Sequence, residues 1–240
     1  MTEKARTFVL VHGSWHGGWC WGRLAPLLEA RGHRVLAPSL TGHADRRHLL
    51  SPAVGLSTHV EDIASLMAFS EVEDAILVGH SYGGMVIAGA ADRVAGRIGQ
   101  LVYLDAHVPA DGQSMCDLIG PEVTANLKAR VDAEGFGWLM PPTSAAFFGT
   151  TPEEGGDWID RMATPMPWKC YAEPLALTGD PPVMRRAYIR CVRHKRPYFQ
   201  AAADRHRGAE GWQVRDIDTA HNAMITHPQL LCDTLLQLAG

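Results

Sequence analysis

The 240-residue sequence predicts an α/β fold with a mostly parallel, doubly wound sheet, forming one domain over 1–240 with a mainly helical cap inserted at about 107–184. Three observations carry that expectation. Short apolar runs alternate with stretches of helical spacing along most of the chain. One run, Ile76-Leu77-Val78, shows no polar alternation, the pattern of a strand covered on both faces. From about His107 to Met184 the alternation lapses, prolines and glycines recur, and bulky apolar side chains lie between short helical pieces.

Taken in order, Thr7 to Val11 reads as a strand that stops at His12-Gly13, followed by a helix-compatible stretch with Leu24, Leu27 and Leu28. Arg34 to Ala37 is a second short strand, ended by Pro38. Thr58 to Ser70 carries Val60, Ile63, Leu66, Met67 and Phe69 at helical spacing, Ala75 to Val78 is the next strand, and Tyr82 to Ala95 is a small-residue helix able to pack closely on a sheet. Leu101 to Leu104 repeats the buried-strand pattern. Beyond the insertion, Ala187 to Val192 and Trp212 to Ile217 are strands, each followed by a helix: Tyr198 to Arg205, then Pro228 to Leu238. Pro228 suits a first helical turn, where its missing N–H costs nothing.

Composition narrows the function classes. At 46% hydrophobic the chain can bury one substantial core, and a net charge of -4 offers no basic surface for a phosphate backbone, so no nucleic-acid partner is expected. No stretch approaches the roughly 18 to 20 apolar residues of a spanning helix, and the opening MTEKARTFVL lacks the apolar core of a secretory signal, so no membrane role is expected either. The five cysteines, Cys20, Cys116, Cys170, Cys191 and Cys232, are odd in number, scattered and free of any C-x-x-C pair, which reads as ordinary thiols in a cytoplasmic protein. The composition is compatible with a homodimer.

The chemistry concentrates in three places. Gly79-His80-Ser81-Tyr82-Gly83 matches G-x-S-x-G directly after a buried strand and before a helix. The string alone would arise by chance about once in ten such chains, so its placement carries the weight. A sharp turn there forces the serine into strained dihedrals, the flanking glycines keep side chains off the neighbouring strand and helix, and Ser81 Oγ stands at a helix N-terminus as a nucleophile. An oxyanion hole needs two main-chain N–H groups, and the expected donors are Tyr82 and Ser14, the latter from the loop His12-Gly13-Ser14-Trp15-His16-Gly17-Gly18-Trp19. His12 and His16 are read as pins for that loop, because a loop does not present such a pair on one face as metal ligands, and no metal is expected. The base expected late in the chain is His221, just past the strand Trp212 to Ile217. His107, His194, His206 and His227 lack such a context and are read as surface or capping residues.

Together VHGSWHGGWCW, GHSYGGM and DTAHNAMITHP resemble the α/β-hydrolase group that contains plant methyl salicylate-type esterases, hydroxynitrile lyases and bacterial pyrethroid-type carboxylesterases. The resemblance covers nearly the whole chain, strongly around residues 8–24, 74–89 and 212–231 and weakly through the insertion. It implies the α/β-hydrolase fold and a Ser-His-acid machinery that needs no cofactor. Hydroxynitrile lyases of the group usually carry threonine where Gly13 stands and lysine where Asn222 stands, so both departures favour ester hydrolysis. The group usually takes its acid from the loop after the strand Ala187 to Val192, yet Cys191-Val192-Arg193-His194-Lys195 holds no carboxylate. Asp105, at the end of Leu101 to Leu104, is the expected acid, with Asp218 as the alternative.

The expected activity is therefore hydrolysis of a small hydrophobic carboxylic ester through an acyl-enzyme, with Trp138, Phe147, Phe148, Trp158 and Met162 of the insertion supplying apolar substrate contacts. A lactonase, a hydroxynitrile lyase and a small-molecule receptor of the same fold are the alternatives, and turnover separates the receptor from the enzymes.

Overall fold

The computed structural model describes residues 5–179 and 184–240; Met1 to Lys4 of the polar head and 180–183 of the expected insertion lie outside the described residues. Six strands form one parallel sheet: β1 (Thr7–Val11), β2 (Arg34–Leu36), β3 (Ala75–His80), β4 (Ile98–Leu104), and, beyond the short pair β5 (Leu139–Met140) and β6 (Met166–Pro167), β7 (Arg185–Cys191) and β8 (Trp212–Ile217). Their spatial order is β2-β1-β3-β4-β7-β8, and β5 pairs with β6 as a separate antiparallel ribbon.

The central strands carry consecutive apolar residues because both faces are covered. Val9, Leu77, Leu101 and Tyr188 point into one core, whereas Leu10, Ile76, Val102 and Ile189 point into the other. Helices α1 (Ala25–Glu29), α2 (Leu56–Phe69) and α3 (Gly83–Val94) are the first three in the chain. Of these, α2 and α3 bury Val60, Ile63, Val86 and Ile87 in the first core, and α1 buries Leu28 in the second. Helix α2 begins at Leu56 rather than Thr58, since the Thr58 hydroxyl accepts the Gly55 N–H at 3.3 Å and caps the first turn from inside.

Between β4 and β7 the chain forms α4 (Met115–Ile119), α5 (Pro121–Glu134), α6 (Gly156–Met162) and α7 (Lys169–Ala172). Helix α5 corrects the expectation of short pieces only. It runs for 14 residues, yet only Val131 is fully buried, so the sequence carries no apolar stripe to announce it. After β7 come α8 (Pro197–His206), α9 (Ala223–Thr226) and α10 (Pro228–Ala239), the last burying Leu231, Leu235 and Leu238 against the second core. No helix of the described residues is long and apolar enough to cross a membrane.

Register sets up the site. His80 is paired with Leu104, and Leu104 with Ile189, so β3, β4 and β7 end at one level, and Cys191 pairs with Ile217 of β8 beside them. Residues just past each strand end are therefore neighbours although far apart in sequence.

Candidate active site

Ser81 follows β3 with φ of 55°, a left-handed conformation that costs a non-glycine residue about 1 kcal/mol or more. Main-chain bonds hold it there: its N–H donates to Leu104 O at 3.2 Å, and its carbonyl accepts from Gly84 N at 3.1 Å and His107 N at 3.2 Å. The flanking glycines are required by contact. A Cβ at Gly79 would lie 2.6 Å from Gly83 O, and one at Gly83 would lie 2.7 Å from Val11 O.

One strand along, Asp105 ends β4, also in the left-handed region at φ 41°, with its N–H donating to Ile189 O at 2.7 Å. Its fully buried carboxylate receives three donors. Oδ2 accepts from His221 Nδ1 at 2.7 Å and from His194 Nδ1 at 2.8 Å, and Oδ1 accepts from Cys191 N at 3.2 Å. Burial pushes the Asp105 carboxyl up, against the hydrogen bond and charge of His194 and the Cys191 amide, which pull it down. Asp218, the alternative acid, is elsewhere: its exposed carboxylate is held by Arg193 Nε at 2.9 Å and Nη2 at 3.1 Å.

The bond to Asp105 fixes the proton of His221 on Nδ1 and leaves Nε2 as the basic nitrogen. His80 Nε2–H donates to the His221 carbonyl at 3.0 Å, and Phe148 and Phe199 stack on the imidazole with centroids 5.2 and 5.3 Å away. Burial drives the His221 pKa well down, helped by His194, His16, His107 and Arg196 around it. The imidazole is thus neutral and ready to take a proton at neutral pH.

The loop after β1 is pinned as the sequence suggested for its histidines. His12 Nε2 accepts the Leu40 N–H at 3.0 Å, so its Nδ1–H donates to Gly13 O at 2.8 Å, and His16 Nδ1–H donates to Ser14 O at 2.7 Å. Gly13 has no room for a side chain, since a Cβ would stand 2.9 Å from Ser81 Cβ. Neither the Ser14 nor the Tyr82 N–H donates to another group among the described residues. Both side chains are tied down: Ser14 Oγ meets Tyr171 Oη at 2.7 Å, and Tyr82 Oη meets His59 Nδ1 at 2.9 Å. Because His59 Nε2–H donates to Thr41 O at 3.0 Å, the Tyr82 hydroxyl is the donor to Nδ1.

Ser14, Ser81 and His221 open onto one cavity of about 690 Å³, while Tyr82 and Asp105 stand behind its wall. Of the five apolar residues expected to touch substrate, Phe147 and Phe148 line it; Trp138, Trp158 and Met162 do not. Trp158 packs edge-on against Trp19 at 4.9 Å under the Arg23 guanidinium, Trp138 accepts the Trp168 N–H at 2.7 Å beside the β5–β6 ribbon, and Met162 is half-exposed. Residues from α4 and α5, with Tyr171, Tyr198 and Phe199, complete the wall. The sequence reading also misplaced two histidines. His107 is buried in the cavity wall and His194 is buried against Asp105, neither at the surface. Their positions, each three residues past a strand end, β4 for His107 and β7 for His194, are the signal that could have found them. Donor atoms of Asp105, His194 and His221 lie within 4.8 Å of one another, with both histidine Nδ1 atoms engaged as donors to the carboxylate.

A model of the alpha/beta hydrolase family matches residues 8–234. The carbendazim hydrolyzing esterase of Nocardioides sp. (strain SG-4G) is 41% identical over 239 residues, spanning 96% of this chain and 98% of that protein. Salicylic acid-binding protein 2 of Nicotiana tabacum is 29% identical over 265 residues, spanning 99% and 98%. Among solved structures, an extracellular alpha/beta-hydrolase from a Paenibacillus species superimposes with a TM-score of 0.84 at 24% identity, covering 97% of this chain and 98% of that one, a likeness of fold. The chain belongs to the alpha/beta hydrolase family, among its esterase-type enzymes.

Proposed function

We propose that the protein is a serine hydrolase that cleaves a hydrophobic carboxylic ester through an acyl-enzyme intermediate. The observation that carries this reading is the buried Asp105–His221 bond of 2.7 Å beside a serine held at φ 55°, with Ser81 and His221 in the wall of one cavity. In the first step Ser81 Oγ attacks the ester carbonyl carbon while His221 Nε2 takes the hydroxyl proton. The carbonyl oxygen becomes an oxyanion that accepts from the Ser14 and Tyr82 N–H groups, each such donor being worth about 3 kcal/mol in the transition state. The C–O bond to the alcohol then breaks, and the imidazolium of His221 returns the proton to the departing oxygen. Water, activated by the same Nε2, attacks the acyl carbon and frees the acid and Ser81.

Residues 107–184 serve as a cap over this site within a single domain, and Phe147 and Phe148 bind the apolar part of the substrate. Gly13 supports ester hydrolysis over a lyase reaction, because a threonine in its place would press on Ser81. Five unbridged cysteines accord with a cytoplasmic location. A panel of p-nitrophenyl acyl esters, methyl esters, lactones and carbendazim, the compound named by one relative, tests the reading. Multiple turnovers on an ester, abolished in Ser81→Ala, are expected. Stoichiometric binding without turnover of any member would replace the enzyme with a receptor.

A further inference from the structure

The loop that follows β7 carries a histidine in place of the acid that the position usually supplies, and that histidine is bonded to the acid supplied by β4. His194 Nδ1 lies 2.8 Å from Asp105 Oδ2, the same oxygen that meets His221 Nδ1 at 2.7 Å, and the two imidazole centroids are 4.3 Å apart. We propose that His194 is a positioning residue for the acid–base pair: its Nδ1–H shares Asp105 Oδ2 with His221, fixing the orientation of the carboxylate and tempering the pull of that oxygen on His221. The inference rests on the reading of Asp105 and His221 as acid and base.

Three features support it. The first is that the loop is anchored for this contact: His194 N donates to Cys191 O at 3.0 Å, Arg193 N to Thr219 O at 3.0 Å, and Arg196 N to His194 O at 2.9 Å. These bonds tie the turn to β7 and to the segment that leads into His221. The second is that the ring has no other polar use. Its Nε2 is buried without a partner among the described residues, so a proton there would be an unpaired buried donor, and the ring serves as a single donor at Nδ1. Phe199 and Phe148 pack on it with centroids at 5.4 and 6.1 Å, a wall in which an aliphatic side chain would sit at less cost unless the hydrogen bond were used.

The third is electrostatic. Two donors on one oxygen compete for the same negative charge, so each bond is weaker than it would be alone. Removing His194 therefore strengthens the hold of Asp105 on the His221 imidazolium. The groups facing His221 are Asp105, His80, His194, His16, His107 and Arg196, and among those that depress its pKa His194 stands first after burial itself. Its loss should make His221 more basic, so that the acid limb of kcat/KM, where protonated His221 is inactive, moves to higher pH. Freed of one donor, the carboxylate can also rotate, which lowers kcat.

The test compares His194→Leu, which removes the donor, with His194→Asn, whose side-chain N–H can stand where Nδ1 stood. We expect His194→Leu to shift the acid limb upward by about one pH unit and to lower kcat about tenfold, the scale of one hydrogen bond to a charged group, with His194→Asn restoring both to near the wild-type values. Proton NMR of the wild-type protein with labelled histidine reads the contact without any variant: two strongly downfield Nδ1–H resonances are expected, one from each ring on Asp105. A single downfield resonance, or a folded His194→Leu enzyme with wild-type kcat and acid limb, overturns the proposal. Asp105→Asn keeps this separate from the underlying reading: normal turnover in that variant removes the triad itself, whereas lost turnover there with an unaffected His194→Leu removes only the role of His194.

Discussion

The hydroxyls of Ser14 and Tyr171 meet at 2.7 Å, joining the loop after β1 to helix α7 of the inserted segment. Ser14 is also one of the two residues whose main-chain N–H is assigned to the oxyanion, so this contact braces the amide from the far side of the cavity. Tyr171→Phe and Ser14→Ala should each lower kcat/KM by roughly 3- to 10-fold, as expected for one neutral hydrogen bond. The double variant should lose no more than the worse single, because both remove the same contact. Fully additive losses in steady-state kinetics would mean that the two hydroxyls act separately.

Asp105→Asn separates activity from stability. The amide can donate to His221 Nδ1 and so favours the wrong tautomer, which should cut kcat on the order of 10⁴-fold. Burial raises the Asp105 carboxyl pKa, so its ionised form opposes folding at neutral pH, and stability from this group is lost as pH rises through the folded value. The melting temperature of Asp105→Asn should therefore equal or exceed that of the wild type. Asp218→Asn, which only releases Arg193 at the surface, should leave both kcat and melting temperature within experimental scatter.

Acid should unfold the protein through its buried histidines. Burial lowers His43 from 6.5 to about 4, and burial with the neighbouring His43 lowers His59 from 6.5 to about 3. Burial also holds His12 and His80 well below the usual histidine value, and lowers His107 to about 3. The unfolded chain takes up these protons near pH 6.5 while the folded chain does not, so stability present at neutral pH is lost as pH falls from 6.5 toward 3. Each histidine contributes up to about 1.4 kcal/mol per pH unit, and together they outweigh the opposite trend from Asp105. The urea midpoint should fall steeply between pH 6.5 and 4; a flat profile there would contradict the neutral, hydrogen-bonded state of His12 and His59.

Phe148 and Trp158 should respond differently to truncation. Phe148 stacks on His221 and lines the cavity, so Phe148→Ala should raise KM for aryl esters and lower kcat as the imidazole loses its support. Trp158 packs on Trp19 away from the cavity, so Trp158→Ala should leave KM unchanged and cost about 1–3 kcal/mol of stability, less than a fully buried tryptophan. Thermal melts and KM values for the pair decide between these assignments.

Those two residues also mark the boundary of what sequence could reveal. The strands of the sheet were legible because residues such as Leu77 and Val78 are buried on both faces and leave a local, unbroken apolar run. The turn at Ser81 was legible because backbone crowding there demands glycine at 79 and 83. Asp105 was recoverable as a partner for His221 because the parallel registers of β4 with β7 and of β7 with β8 bring the ends of β4 and β8 to one level, so the two side chains can meet. Within the insertion no such local rule operates. Helix α5 buries only Val131 fully, and whether an aromatic side chain reaches the cavity or packs behind it depends on tertiary placement, which spacing does not encode. His107 and His194 were missed for a related reason: their partners, Tyr198 and Phe199 of α8 for the first and Asp105 for the second, are far away in sequence.

The central claim is that Ser81 becomes acylated during turnover. Rapid-quench mass spectrometry with a p-nitrophenyl acyl ester should show a burst of p-nitrophenol close to one equivalent per chain and the matching acyl mass on the peptide carrying Ser81, both absent in Ser81→Ala. Continued hydrolysis with no adduct on Ser81, or an undiminished rate in Ser81→Ala, would contradict it.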